Sequence, residues 1–329
     1  LKKLLVTDSH LGINKASDLY HNVVFSLFEE IQHVCIKENI RHIIHLGDFF
    51  HDRKVLNTKT QNVAHRIAEL FEDIALMYLV LGNHDVYYKD RLSPTTAELF
   101  KKHHAIRPID EITKIHGDIV LCPWGLTPEG HEGYLMGHFE LKGFKMNSAF
   151  VCEHGQEPDD LRKGNNFKHI YSGHFHTPST KNNITYLGSP YQQTFHDLGS
   201  PRGYYIWEDG EMEFREFHGA PKFRIMRSDE LETEEIKGNI VRLVFAEDMG
   251  SVENQKLIDD VMSFGPVKLQ VDFSCVKIEG TEEVREEQVE ASLLDHNQII
   301  EEYIGKTALP EFVSRRMLLT MINKLKGEI

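Results

Sequence analysis

Residues 42–51, HIIHLGDFFH, and residues 77–85, MYLVLGNHD, decide the fold. Each is a short run of Ile, Leu, Val and aromatic side chains that stops at a glycine followed by Asp or Asn, with a histidine close behind. An apolar run of four or five residues bounded by such a turn signal reads as a strand buried on both faces. Working outward, similar runs stand at 4–7, before Asp8-Ser9-His10, and at 170–172, before Gly173-His174-Phe175-His176. Others lie at 119–123, 184–187 and 204–207. Between the first three runs, Val24, Leu27, Phe28, Ile31 and Cys35 recur at helical spacing, as do Val63, Ile67, Leu70, Phe71 and Ile74. Strand, helix, strand, helix, strand predicts a layered α/β domain whose helices bury their apolar faces on the sheet. Strand ends and the loops after them then gather at one edge, where their polar residues converge.

Near Gly219-Ala220-Pro221 the pattern changes to a smaller unit. It holds a buried strand over 240–245, a helix over 252–264 and, after Gly265-Pro266, a strand alternating Val267, Leu269, Val271 and Phe273. Residues 279–302 form an acidic stretch with helical patterning, and from Pro310 a further helix carries Leu318, Met321, Ile322, Leu325 and Ile329 on one face. The expected division is a first domain over 1–220, a small capping domain over 221–278 and a C-terminal helical segment over 279–329. A chain of 329 residues with 40% hydrophobic and 27% charged side chains has the composition of a globular protein with room for one or two sizeable cores. No apolar run approaches the roughly 20 residues of a membrane helix, and the start lacks the layout of a secretory signal, so a cytoplasmic protein without a membrane role is expected. Cys35, Cys122, Cys152 and Cys275 are widely spaced and include no Cys-x-x-Cys pair, which argues against a disulfide framework and a thiolate zinc site.

Histidine points to the chemistry: there are twenty, several beside Asp, Asn or another His just past a predicted strand. The clusters are Asp8-Ser9-His10, Gly47-Asp48-Phe49-Phe50-His51, Gly82-Asn83-His84-Asp85 and Gly173-His174-Phe175-His176. Such a mixed set supplies hard oxygen and borderline nitrogen donors, which suits Mn²⁺, Fe²⁺ or Zn²⁺ and disfavours Ca²⁺. A spacing of two, as in Asp8/His10 and His174/His176, sends two side chains from one segment in related directions. The set is too large for one tetrahedral ion. Two ions about 3.5–4 Å apart that share a carboxylate are the recognised arrangement for in-line displacement at phosphorus. Taken singly, a Gly-Asp or an Asp-x-His is an ordinary polar turn; the joint occurrence favours metal. His21, His33, His65, His116, His131, His169 and His218 lack that context and are expected on the surface or satisfied in the core.

In this order the clusters resemble the signature of the calcineurin-like metallophosphoesterases. Within that superfamily the chain is most similar to SbcD-type DNA-repair nucleases and their phage recombination-endonuclease counterparts. The likeness runs through His51 after Gly-Asp-Phe-Phe, through Gly137-His138-Phe139-Glu140-Leu141 and through Tyr186-Leu187-Gly188-Ser189-Pro190. It covers roughly residues 4–210 and implies a layered β-sandwich core flanked by helices, a small α/β capping domain and C-terminal helices. It also implies two Mn²⁺ ions, one held by Asp8, His10, Asp48 and His176 and the other by Asp48, Asn83, His138 and His174, with Asp48 bridging. His84 is implied beside the scissile phosphate as general acid or charge stabiliser, His51 on the nucleic-acid phosphate, and Asp85 holding the His84 segment. Arg53 and Ser189 are expected to touch substrate. His154, in Cys152-Glu153-His154-Gly155, also follows an apolar segment and competes with His138 for the same ligand position.

The activity so implied is hydrolysis of DNA phosphodiesters, exonucleolytic and single-strand endonucleolytic, by the nuclease subunit of a recombination or repair complex. The implied partners are DNA, an SMC-like coiled-coil ATPase docked on the C-terminal helices, and a second copy of the chain in a homodimer. A formal charge of −14 does not forbid this. Screening limits exposed charges to roughly 8 Å at physiological salt, while two divalent ions place their charge at the phosphate itself. Arg53-Lys54, Lys101-Lys102-His103-His104, Lys142/Lys145 and Arg162-Lys163 are candidate phosphate contacts. The rival readings are a small-substrate enzyme of the same superfamily, a cyclic-nucleotide phosphodiesterase or phosphomonoesterase, and a non-catalytic adaptor that recruits the ATPase. His51 and the C-terminal module weigh against the first; a complete ligand set with His84 weighs against the second.

Overall fold

Two six-stranded sheets packed face to face form the centre of the computed structural model, which describes residues 1–273 apart from 89, 117, 147–149 and 248. All of these belong to the first of the chain's two units, Leu1–Val276. The first sheet runs in the order Glu211–Glu216, Gly203–Glu208, Lys3–Val6, His42–His45, Leu76–Val80, Ile106–Ile109. Its last four strands are parallel. The first two crossovers are the helices Asp18–Glu38 and Thr58–Leu70. Leu27, Phe28, Ile31, Val63 and Ile67 of these helices pack on Leu4, Val6, Ile43, Met77 and Leu79. The opposite face presents Leu5, Ile44, Tyr78 and Val80 to Leu121, Met136 and Tyr171 of the second sheet. Both faces of these strands are therefore covered, which is why their sequences are unbroken apolar runs rather than alternating ones.

The second sheet runs Ser179–Lys181, Ile184–Tyr186, Asn166–Gly173, Glu132–His138, Ile119–Cys122, Thr113–Ile115. Its outer face is closed by Phe139, Leu141, Phe144, Cys152, Leu161 and Phe175. Glu132–His138 was not expected as a strand, because two glycines and a histidine interrupt it. A Cβ at Gly133 would lie 2.1 Å from the Asp118 carbonyl oxygen, and one at Gly137 would lie 2.5 Å from that of Cys122. Glycine is there because neighbouring backbone passes close. Ile106–Ile109, Glu211–Glu216 and Phe223–Arg227 are also strands that the apolar pattern did not disclose. The second helix ends at Leu70, short of the expected Phe71 and Ile74, which turn towards the next strand.

A three-stranded parallel sheet, Phe223–Arg227, Ile240–Val244 and Lys268–Asp272, carries the helix Ser251–Ser263 over a small core of Met226, Val241, Leu243, Phe245 and Val261. The acidic stretch 279–302, the stripe from Leu318 to Ile329, and Cys275 lie outside the described residues. Cys35, Cys122 and Cys152 are buried free thiols. Among the described residues no helix is long and apolar enough to cross a membrane.

Candidate metal centre

The carboxyl ends of parallel strands from both sheets open at one edge, the usual place for a ligand in such folds. From the first sheet come the turns after Lys3–Val6, His42–His45 and Leu76–Val80, which carry Asp8 and His10, Asp48 and His51, and Asn83, His84 and Asp85. From the second come His138 and Gly173, which are register partners on adjacent strands, with His174 and His176 just beyond. Asp8, His10, Asp48 and His174 have φ of 52°, 45°, 55° and 91°. Residues other than glycine held there cost on the order of 1–3 kcal/mol each, so the surroundings must impose the conformation. They do: Asp8 N–H donates to the Gly47 carbonyl at 3.0 Å, His10 N–H to that of Asp48 at 3.0 Å, and His174 N–H to the Asp8 carboxylate at 3.1 Å. The motif glycines serve close approach. A Cβ at Gly82 would sit 2.2 Å from Asp48 Oδ1, and one at Gly173 would sit 2.1 Å from Thr7 Oγ1 and 2.9 Å from His138 Nδ1.

Three donor clusters result, each with ligand atoms within 4.8 Å of one another: Asp8, His10 and His176; Asp48, His138 and His174; and His10, His51 and His84. His10 Nε2 lies 3.2 Å from His176 Nε2 and 3.7 Å from Asp48 Oδ2, so Asp48 adjoins the first cluster as well as its own. Asn83 Oδ1 joins the second cluster, 3.0 Å from His138 Nε2 and 2.9 Å from His174 Nδ1. His138 Nδ1 is fixed by the Leu46 carbonyl at 2.7 Å, which leaves Nε2 facing the site. His154 is exposed and joins no cluster, so the structure brings His138, not His154, to the others.

The charge balance suits divalent cations. Burial pushes the Asp8 carboxyl up, opposed by His138 and His176. Burial acts in the same direction on Asp48, but the neighbouring His138 and His10 outweigh it and hold Asp48 well below the usual carboxylate range. Burial holds His10 well below the usual imidazole range and, with His138, pushes His174 down to about 3. Neutral imidazole is the form that binds metal. His138 is the exception: Asp48, 3.4 Å away, raises it to about 9 against the effect of burial. Two buried carboxylates, an amide oxygen and imidazole nitrogens, those of His10 and His174 kept neutral by burial, are a donor set for a dinuclear divalent-metal centre.

His84 stands beside the two Asp-containing clusters. Its backbone N–H donates to Asp48 Oδ1 at 2.8 Å and its Nδ1 contacts the His51 carbonyl at 2.6 Å. The His51 and His84 rings stack with centroids 5.6 Å apart. Asp85 is fully buried and, beyond closing its own turn at Gly82, holds the Asp48 turn: it accepts the N–H groups of Asp48 (2.8 Å), Phe49 (3.4 Å), Phe50 (3.1 Å) and Gly82 (2.9 Å). Arg53 is half-buried in the bend after His51. Ser189, expected to meet substrate, is instead turned inward: its hydroxyl donates to the Tyr191 carbonyl at 2.9 Å and accepts from Arg202. Of the basic patches, Lys101, Lys142 and Arg162 are paired with Glu98, Glu157 and Asp159. The side chains of Arg53 and Lys54 pair with no carboxylate among the described residues, although the Lys54 backbone N–H donates to Asp52 Oδ1 at 2.8 Å.

Several supporting residues carried no signal in the sequence. Gln193 donates to the Asp8 carbonyl at 2.7 Å, Tyr191 to that of Ser9 at 2.8 Å, and Arg202 to that of His176. Thr7 Oγ1 donates to Asp8 Oδ2 at 2.8 Å. His45, one strand residue before the Leu46-Gly47 turn, is fully buried, 2.9 Å from Ser9 Oγ, and burial pushes it down to about 3. A folded value below the ordinary 6.5 means that neutral His45 stabilises the fold fully above pH 6.5, and that this contribution is lost as pH falls towards 3. Urea unfolding from pH 7 to pH 4 is expected to show the wild type losing stability relative to His45→Phe by about 1.4 kcal/mol per pH unit below the midpoint. Parallel pH dependences would remove His45 as the cause.

The calcineurin-like phosphoesterase family profile matches residues 1–178. Exonuclease subunit 1 of Enterobacteria phage T4 is 31% identical over 232 residues, spanning 66% of this chain and 67% of that protein. Among solved structures, Pseudomonas putida nuclease MPE aligns with 64% of this chain and 86% of its own, at 16% identity and a TM-score of 0.36. A dimetal phosphatase from Danio rerio aligns with 66% and 96%, at 10% identity and a TM-score of 0.43.

Proposed function

Since the chain belongs to the calcineurin-like phosphoesterase family and is a metal-dependent phosphoesterase, we propose that its substrate is DNA, cut with two Mn²⁺ ions as exonuclease and single-strand endonuclease. The observation that carries this reading is that His51 and His84 abut the two Asp-containing clusters through His10, which places two imidazoles beside the donor sets in addition to those the sets use. Similarity to a phage exonuclease subunit supports the choice of DNA and of a multi-subunit setting. The reading includes an SMC-like ATPase partner that docks on the C-terminal segment, a homodimer, and a cytoplasmic location.

Asp8, His10, Asp48 and His176 would hold one ion, and Asp48, Asn83, His138 and His174 the other. Bound there, the ions would offset charge growing on the phosphoryl oxygens and lower the pKa of a water from 15.7 to about 7. The protein's own part is positional. Asp48 Oδ1 accepts the His84 N–H, so the shared carboxylate and the acid are held by one contact. With Nδ1–H donating to the His51 carbonyl, the His84 ring is held so that Nε2 is the nitrogen that would pass a proton to the leaving sugar oxygen. The side chains of Arg53 and Lys54, without carboxylate partners among the described residues, are available to backbone phosphates.

Metal analysis of the purified protein is expected to give two equivalents. Cleavage of hairpin and blunt-ended duplexes is expected to require Mn²⁺ and to exceed turnover of p-nitrophenyl phosphate. Preference for the monoester would indicate the phosphomonoesterase alternative, and turnover of bis-p-nitrophenyl phosphate without cleavage of DNA the cyclic-nucleotide phosphodiesterase; absence of bound metal would indicate an adaptor.

A further inference from the structure

Two loops leave the metal centre from a single hydrogen-bonded pair. His84 Nδ1 contacts the His51 carbonyl, and from these two residues the chain runs into the 52–57 bend on one side and into a small hairpin on the other. The hairpin, Val86–Tyr88 with Arg91–Thr95, belongs to neither six-stranded sheet. It is rooted firmly. Val86 is buried, Leu92 packs on the main core, and the Asp85 carbonyl accepts Thr95 Oγ1 at 2.6 Å and the Thr96 N–H at 2.9 Å. Its outer part carries Tyr87 and Tyr88, 42% and 39% exposed, with ring centroids 4.7 Å apart. Among the described residues, no other ring pair in contact has both members exposed. The Arg91 guanidinium lies 3.9 Å over the Tyr88 ring.

Single exposed aromatics need no explanation. An edge-to-face pair of rings with a cation, three and four residues from His84 and rooted at the same hydrogen-bonded pair as a bend whose Arg53 and Lys54 side chains have no carboxylate partner among the described residues, is a different matter. Aromatic rings beside a basic, phosphate-tracking rim are how proteins take single-stranded nucleic acid, because every base offers a π-face. We propose that Tyr87 and Tyr88 form a stacking platform for an unpaired nucleobase next to the scissile phosphate, so that the protein selects strands whose bases at that point are free of a duplex. This rests on DNA being the substrate. Arg91 braces Tyr88 from one side and adds positive charge near the strand.

The test compares single strands that carry an abasic residue at successive positions on either side of the scissile phosphate with the intact strand. The wild type is expected to lose about tenfold in kcat/KM at one or two adjacent positions, within the range that one stacked base commands. The Tyr87→Leu/Tyr88→Leu variant is expected to treat intact and abasic strands alike, and Tyr88→Phe, which keeps the ring, to retain the discrimination. Each readout is a ratio within one protein preparation, so a general loss of activity does not mimic it. The inference is overturned if the wild type shows no position-dependent abasic penalty, or if the leucine variant keeps the penalty, which would leave the tyrosines as local packing or as a protein-docking face. A wild type that hydrolyses bis-p-nitrophenyl phosphate but no DNA would overturn the nuclease reading itself, and the inference with it.

Discussion

His84→Ala is expected to bind two equivalents of metal like the wild type and to cleave DNA 10²- to 10⁴-fold more slowly, the usual contribution of a positioned general acid. The reasoning is geometric. The His84 ring contributes to neither Asp-containing donor cluster, whereas its backbone N–H, which the substitution keeps, is what Asp48 Oδ1 accepts. The loss is therefore expected in kcat with little change in KM. A leaving group of low pKa should rescue much of it, because an oxygen that departs as a stable anion needs no proton: bis-p-nitrophenyl phosphate is expected to suffer far less than DNA. Equal losses on both substrates would mean that His84 stabilises charge and does not transfer a proton. Native turnover on DNA would remove it from the mechanism.

The largest expected loss of stability comes from Asp85→Ala. One carboxylate satisfies four buried N–H groups that belong to the Gly47–Phe50 turn and to its own. Alanine leaves them without an acceptor in a place that water reaches poorly, and each orphaned buried donor costs about 1–3 kcal/mol. At least about 4 kcal/mol is expected from the urea midpoint of metal-free protein, in the range reserved for buried networks. Asp85→Asn keeps one acceptor oxygen and is expected to fall between. Because the Asp48 turn is what comes loose, metal stoichiometry should fall with stability, unlike in His84→Ala. A change below 1 kcal/mol would mean that solvent or a rearranged side chain takes over the four amides.

The buried strands of the first sheet were legible because their two covered faces leave no room for polar residues, and the turns after them because glycine followed by Asp or Asn marks a sharp exit. Glu132–His138 was not legible as a strand: its glycines serve neighbouring backbone, and spacing along the chain records nothing about a neighbour in space. Between His138 and His154 the resemblance through Gly137–Leu141 favoured His138, while the apolar pattern alone did not separate them. Both follow apolar residues, yet only His138 ends a strand paired with the one that leads to His174. Asp85 was legible as a motif residue, but expected to hold the His84 segment; its wider hold on the Asp48 turn depends on a contact made 35 to 37 residues away.

The sequence by itself determined the donor chemistry and the places where it leaves the strands, since carboxylate, amide and imidazole type, glycine tolerance and apolar runs are local properties of the chain. Only the tertiary structure decided why Ser189 faces inward, and that Gln193, Tyr191 and Arg202 clamp the carbonyls of Asp8, Ser9 and His176. A hydrogen bond closed across 182 or 185 residues leaves no periodicity at either end. It exists only once two sheets have packed and brought the carboxyl ends of their strands to one edge.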